Sequence, residues 1–330
     1  MRSAKLTWPQ VRLEAVKFLP TLQQPAWMPL VEEMRGVADG ANVDLEDILA
    51  LNVRTEIAYG MFSDGCTAFT WKVGEKSFIA QNWDVGFITT WHSENFHWTN
   101  TKQWETEQSP NVIRLHITPS PSNNLPTIDM MTEAGIIGKI GLNSSSVGVT
   151  LNAIQTRGVD FAKLPCHLAL RTVLNSTSRA EAVDKLMRVG VASACHITVA
   201  DAATGGLGLE CSAQDIVQMP MSDQGVCTHS NHFVSTHAEG VEGTNMVKDS
   251  PIRLERIRSL IAQETEPSFE VIERILKDEE GYPGSICRAA TEKSSFETLF
   301  SICMDLGGVK AKVKMGRPVN LAGEKVDLRP

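Results

Sequence analysis

The chain reads as a layered α+β protein with antiparallel sheets. Three observations carry that reading. Helical texture fills the first sixty residues and returns twice, between stretches whose apolar and polar residues alternate as strands do. Those strands come in neighbouring runs joined by short turns rather than singly between helices, which excludes a βαβ series. Finally, 330 residues at 42% apolar supply a large core. With no internal repeat or Pro/Ser-rich linker, residues 1–330 form a single domain.

Taken in order, Pro29–Ala41 has helical spacing and stops at a glycine. Asp44–Arg54 starts on an aspartate cap and carries Leu45, Ile48, Leu49 and Val53 on one face. After Gly65 the period changes. Cys66–Val73 and Ser77–Val85 are strands flanking Gly74-Glu75-Lys76, a loop suited to a hairpin. Gly86–Asn111 is aromatic but polar, with Trp91 and Trp98, and reads as a lid or an elaborated loop, with a crumpled edge hairpin as the other reading. Strand texture resumes at Val112–Ile117 and Thr127–Thr132, and again from Gly135–Asn143 into Val147–Asn152. The glycines there suit strand ends, because no phosphate-binding loop has the strand and helix context it needs. Helices follow at Pro165–Asn175 and Ser178–Val189, the second with Ser178 as cap and Glu181 three residues on. Strands cover Cys195–Asp201, Leu207–Ser212 and Asp215–Met219. Helices return at Pro251–Gln263 and Ser268–Leu276, before final strands at Thr298–Leu306 and Val309–Met315.

Charge narrows the function classes. With 39 acids against 31 bases, the net charge of −8 argues against affinity for nucleic-acid phosphates. No run of eighteen apolar residues exists to span a membrane. The N-terminus reaches no signal-peptide core, and Asp327-Leu328-Arg329-Pro330 carries no peroxisomal tripeptide or prenylation box, so the expected address is the cytoplasm. Seven cysteines, an odd number without CxxC, are expected to be thiols. Cys227, His229, His232 and His237 lie close together, but their spacing fits neither HExxH nor paired CxxC, and no metal is expected.

One cysteine is placed for chemistry. Ser63-Asp64-Gly65-Cys66-Thr67 puts Cys66 at the change from helix to strand, directly after a glycine. From there a thiol has access to the preceding carbonyl. Cutting that bond would leave Cys66 with a thiol and an amine, and an amine of pKa about 8 can serve as the thiol's base without a histidine. On these residues alone, a buried structural cysteine remains the leading reading.

A resemblance changes the balance. Asp64-Gly65-Cys66-Thr67, Gln81-Asn82-Trp83-Asp84 and Thr132-Glu133-Ala134-Gly135-Ile136-Ile137-Gly138-Lys139 occur in one order. So do Gly208-Leu209-Glu210-Cys211-Ser212, His229-Ser230-Asn231-His232, Ser285-Ile286-Cys287-Arg288 and Gly316-Arg317-Pro318. Together they resemble the acyl-coenzyme A:6-aminopenicillanic acid acyltransferase (isopenicillin N acyltransferase) family of N-terminal-nucleophile hydrolases, from about Pro25 to Pro318. The resemblance implies a four-layer αββα sandwich made as a precursor and cut between Gly65 and Cys66 into 1–65 and 66–330, which stay associated. Cys66 would take an acyl group from a small-molecule donor as a thioester and pass it to an amine or water. No cofactor is implied, although a coenzyme A thioester can be the co-substrate. By the same resemblance Asp84 orients substrate or the new amine, and Asn231 donates to the tetrahedral oxyanion. Asn143 matches an oxyanion-side segment of related hydrolases, and Ser212 and Ser295 match serines of maturation or binding.

The chain departs from the family pattern in two places. The first matching helix comes within thirty residues of Met1, where the family has an extra strand and a Gly-rich segment. Counting back from Thr298-Leu299-Phe300 puts Phe296 where the family's carboxylate-binding arginine stands. A ring cannot supply a bidentate fork, so the expected substrate is less charged at that end.

Overall fold

The computed structural model describes residues 6–57, 65–86, 111–243, 247–292 and 294–330. Helices α1 (Trp8–Ala15), α2 (Leu19–Leu22), α3 (Met28–Ala41), α4 (Leu45–Asn52) and α5 (Arg54–Ile57) come first. The expected stop of α3 at glycine is corrected. The helix runs through Gly40, and Asn42 ends it in the left-handed region at φ 54°, a conformation asparagine tolerates better than most side chains. Asp44 opens α4 as expected, its N–H donating to Asp47 Oδ2 at 3.2 Å.

Two antiparallel sheets form the middle. In the first, the order is β10-β1-β2-β11-β12-β13. Its members are β1 (Gly65–Val73), β2 (Lys76–Gly86), β10 (Val226–His229), β11 (Phe296–Asp305), β12 (Lys310–Met315) and β13 (Lys325–Leu328). The second runs in sequence order from β3 to β9. It contains β3 (Val112–Ile117), β4 (Ile128–Glu133), β5 (Ile140–Asn143), β6 (Val147–Ala153), β7 (Cys195–Asp201), β8 (Gly205–Cys211) and β9 (Ile216–Pro220). The four-residue strands β10 and β13 were not foreseen, because four residues carry little alternation to read.

Helices cover both outer faces. On the second sheet lie the N-terminal helices with α6 (Cys166–Leu174) and α7 (Arg179–Val189); on the first lie α8 (Ser250–Ile261) and α9 (Phe269–Leu276). Ser178 caps α7 by accepting from Glu181 N, while Glu181 reaches back to Thr177 rather than to the cap itself. Three apolar clusters fill the three interfaces. Leu49, Met130 and Leu170 belong to the first, Ile79, Leu142 and Phe300 to the layer between the sheets, and Phe69, Ile257 and Ile275 to the third. The protein is a four-layer αββα sandwich.

The segment that ends at Ile57 is fastened to the rest by polar bridges as well as by its core. Asn52 donates to Gly135 O and accepts from Ile137 N. Arg54 makes a bidentate pair with Glu133 at 2.6 and 2.5 Å. Buried Glu56 accepts from Cys166 N at 2.9 Å and from the Ser193 hydroxyl at 2.7 Å. No helix among the described residues is long and apolar enough to cross a membrane. The aromatic stretch with Trp91 and Trp98 lies outside the described residues.

Candidate active site

The hairpin β1–β2 builds the site. Val73 pairs with Lys76 across a two-residue turn in which Gly74 has φ 56°, which favours glycine. The register then returns Trp83 opposite Cys66 and Asp84 opposite Gly65. Strand alternation turns Phe69 and Trp71 towards α8 and α9, and sets Cys66 in the layer between the sheets.

There Cys66 lines a narrow cleft with Trp83, Lys139, Leu151, Ala153 and Cys195, whose cavity volume is about 30 Å³. Its wall is mostly apolar, with one charge cluster in which Lys139 and Arg54 share the carboxylate of Glu133. Lys139 Nζ stands 3.7 Å from the centre of the Trp83 ring and 2.5 Å from Glu133 Oε2, which Arg54 also holds. Burial pushes the Glu133 carboxyl up, but Lys139 and Arg54 outweigh it and keep the group well below the usual carboxylate range.

The backbone of Cys66 is held from the β10 side. Its N–H donates to Asn231 Oδ1 at 2.9 Å, and its carbonyl accepts from Arg253 Nη1 at 2.7 Å. Arg253 also donates to Asn231 Oδ1 at 2.7 Å and to the Thr67 hydroxyl at 2.7 Å. Both partners of Oδ1 are donors, so the amide orientation of Asn231 is chemically fixed. Its Nδ2 donates to Ala153 O at 3.0 Å, beside the cleft. Ser250 Oγ receives the Asn231 N–H at 2.7 Å, and Glu210 anchors the same loop by accepting from Val234 N and Ser235 N.

On the β2 side the chemistry is ionic. Asp84 is fully buried; Oδ1 accepts from Thr298 Oγ1 at 2.7 Å and Oδ2 has no hydrogen-bond partner. Burial raises its carboxyl to about 7, against the pull of Arg288 and Arg253. Arg288, 1% exposed, donates from Nη2 to Asp249 Oδ2 at 2.5 Å, while Nε and Nη1 have no partner. Burial and Arg253 lower it to about 10, which leaves it cationic at neutral pH. A Cβ at Gly65 would lie inside van der Waals contact with Arg288 Nη1 and 3.2 Å from Asp84 Oδ2. Glycine is required there by the guanidinium rather than by the backbone angle.

The structure thus gathers Gly65, Cys66, Asp84 and Asn231 into one place. Two other sequence-derived candidates, Asn143 and Ser212, are used elsewhere. Asn143 gives Nδ2 to Leu174 O and Ser176 O and receives Ser145 N and Val147 N on Oδ1, tying the β5–β6 turn to the end of α6. Ser212 closes the β8–β9 turn through Asp215 and Gln214. Phe296 lays its ring 4.2 Å from the Arg288 guanidinium, and half-buried Ser295 precedes it at the start of β11. Arg253 was missed, since one arginine among three on α8 has no local signature. The four residues weighed as metal ligands have separate partners. His229 bonds Glu210, His232 bonds Ser250, His237 bonds Asp215, and the Cys227 thiol points to Met219 O.

The family model described as acyl-coenzyme A:6-aminopenicillanic acid acyl-transferase matches residues 71–320. The chain belongs to this family. It is 36% identical over 315 residues to the acyl-coenzyme A:6-aminopenicillanic-acid-acyltransferase 40 kDa form of Emericella nidulans, covering 94% of this chain and 82% of that protein. The fold is shared more widely. A mutant conjugated bile acid hydrolase from Clostridium perfringens superposes with a TM-score of 0.52 at 12% identity, over 80% of this chain and 92% of that one. A Caenorhabditis elegans N-acylethanolamine-hydrolyzing acid amidase ortholog gives 0.50 at 15% identity, over 73% and 93%. Family membership makes this chain an enzyme of the acyltransferase class, and its fold is that of the N-terminal-nucleophile hydrolases.

Proposed function

We propose that this chain is a self-cleaving cysteine acyltransferase whose nucleophile is Cys66. The supporting observation is the pinning of the Cys66 nitrogen by Asn231 while the side chain lines the cleft. Cutting the Gly65–Cys66 bond turns that nitrogen into an amine, still in reach of Asn231 Oδ1 and close enough to its own thiol to act as the base. The thiolate attacks the carbonyl of a thioester or amide donor. Asn231 Nδ2, on the cleft side, donates to the oxyanion. The leaving thiol or amine departs, and an acceptor amine attacks the Cys66 thioester. The mostly apolar wall suits an apolar acyl group. Phe296 stands where the family has its carboxylate-binding arginine and supplies no fork for a carboxylate, so 6-aminopenicillanic acid should be a poor acceptor. Fungal secondary metabolism, in the cytoplasm, is the setting we infer.

Intact-mass spectrometry tests the reading. The wild type should give fragments 1–65 and 66–330, and Cys66→Ala should remain one chain with no turnover. Phenylacetyl-coenzyme A should then leave an acyl adduct on the larger fragment that an added amine removes. A wild type that stays uncut overturns the proposal. An adduct lost to water at the same rate with and without amines makes the enzyme a hydrolase.

A further inference from the structure

The two halves of the Gly65–Cys66 peptide face different partners. Tyr282-Pro283 is the only cis peptide among the described residues, so this bond is trans, and its N–H and C=O point to opposite edges of β1. Asn231 takes the N–H from the β10 edge. The carbonyl of Gly65 therefore points to the β2 edge, beyond the reach of the same side chain. At that edge Asp84 pairs with Gly65 in the register, and over the helix-side face of Gly65 stand the unpartnered Nε and Nη1 of Arg288, with Nη1 where a Cβ would point.

We propose that Arg288 is the oxyanion donor for the cutting of the chain, a role separate from that of Asn231 in acyl turnover. The inference rests on the self-cleavage reading and adds to it a residue that touches the scissile glycine. In the cut, the Cys66 sulfur forms a bond to the Gly65 carbonyl carbon as the thiol proton leaves, and the π pair moves to the oxygen. The carbon–nitrogen bond then breaks and the nitrogen takes a proton, giving a thioester and an amine. Water hydrolyses the thioester to the Gly65 carboxylate and restores the thiol. Negative charge grows twice on an oxygen that Asn231 cannot reach. A buried guanidinium with two unused donors, fixed from behind by Asp249 and packed on Gly65, has only to turn a short way to meet that charge. The same contact explains the glycine, since any Cβ at position 65 would drive Nη1 away.

The test is the rate at which freshly made, full-length chain becomes two fragments by intact mass. Arg288→Gln should slow it by about a hundredfold or more, and Arg288→Lys, which keeps the charge but not the fork, by about tenfold. Gly65→Ala should slow it as well, and the double variant Gly65→Ala/Arg288→Gln should be no slower than Arg288→Gln alone, because both changes remove one interaction. A folded Arg288→Gln chain that cuts at the wild-type rate overturns the inference while leaving self-cleavage in place. If Arg288→Gln does not fold, Gly65→Ala decides alone, and wild-type cutting by it overturns the inference. A wild type that never cuts overturns both.

Discussion

The two edges of β1 differ in kind. Towards β10 the Cys66 backbone is saturated: Asn231, Arg253 and Ser250 form one closed set of hydrogen bonds. Towards β2 the groups are charged, buried and incompletely satisfied, with Asp84 Oδ2 and two nitrogens of Arg288 lacking partners. A saturated edge fixes geometry, whereas unsatisfied buried charge is costly unless a reaction uses it. The contrast separates the groups that hold the nucleophile, among them the proposed turnover donor Asn231, from the groups left free to meet charge in the cutting step.

The sharpest way to break that comparison is on the saturated edge. Asn231→Ala should lower kcat by about 10²–10³, read as turnover per molecule cut; a normal kcat in a folded variant would remove Asn231 from the oxyanion site. Lys139→Met should show that the charges of the cleft wall are structural. It leaves half-buried Glu133 with Arg54 alone and should destabilise the fold by about 1–2 kcal/mol in urea unfolding. An unchanged midpoint would mean that the Lys139–Glu133–Trp83 contact contributes nothing.

Asp84 supplies the most specific effect. Its folded carboxyl titrates near about 7, above the unfolded value, so between those points the folded state binds the extra proton. The stability it confers is complete at low pH and is lost as pH rises through about 7. In a Cys66→Ala background, which keeps one chain, the unfolding midpoint should fall from pH 5 to pH 8. Asp84→Asn should flatten that fall, and an unchanged slope would show that Asp84 is ionised throughout.

Legibility from sequence followed the range of the forces involved. The hairpin from Cys66 to Asp84 could be read because alternation and Gly74 set its register locally, and that register alone places Asp84 opposite Gly65. Asn231 came from a family block, and the fold sets its Oδ1 2.9 Å from Cys66 N. Arg253 meets Cys66 across 187 positions of chain and Arg288 is packed on Gly65; no local pattern announces such encounters. Asn143 and Ser212 were over-read for the opposite reason. Both sit at turns, where backbone groups claim the side chains of exactly those residue types before any ligand could.

The bridges that Asn52, Arg54 and Glu56 make to the rest of the fold give the molecule a memory. While the chain is whole, its own backbone keeps the helical segment at an effective concentration on the order of millimolar. If the bond before Cys66 is cut as proposed, a solution at about 1 μM offers the same encounter roughly a thousandfold more dilute, worth about 4 kcal/mol. Young, uncut molecules should therefore recover from denaturant independently of dilution, whereas mature ones should recover in proportion to how concentrated they are. The mature protein then persists through the slowness of its unfolding rather than through its ability to return.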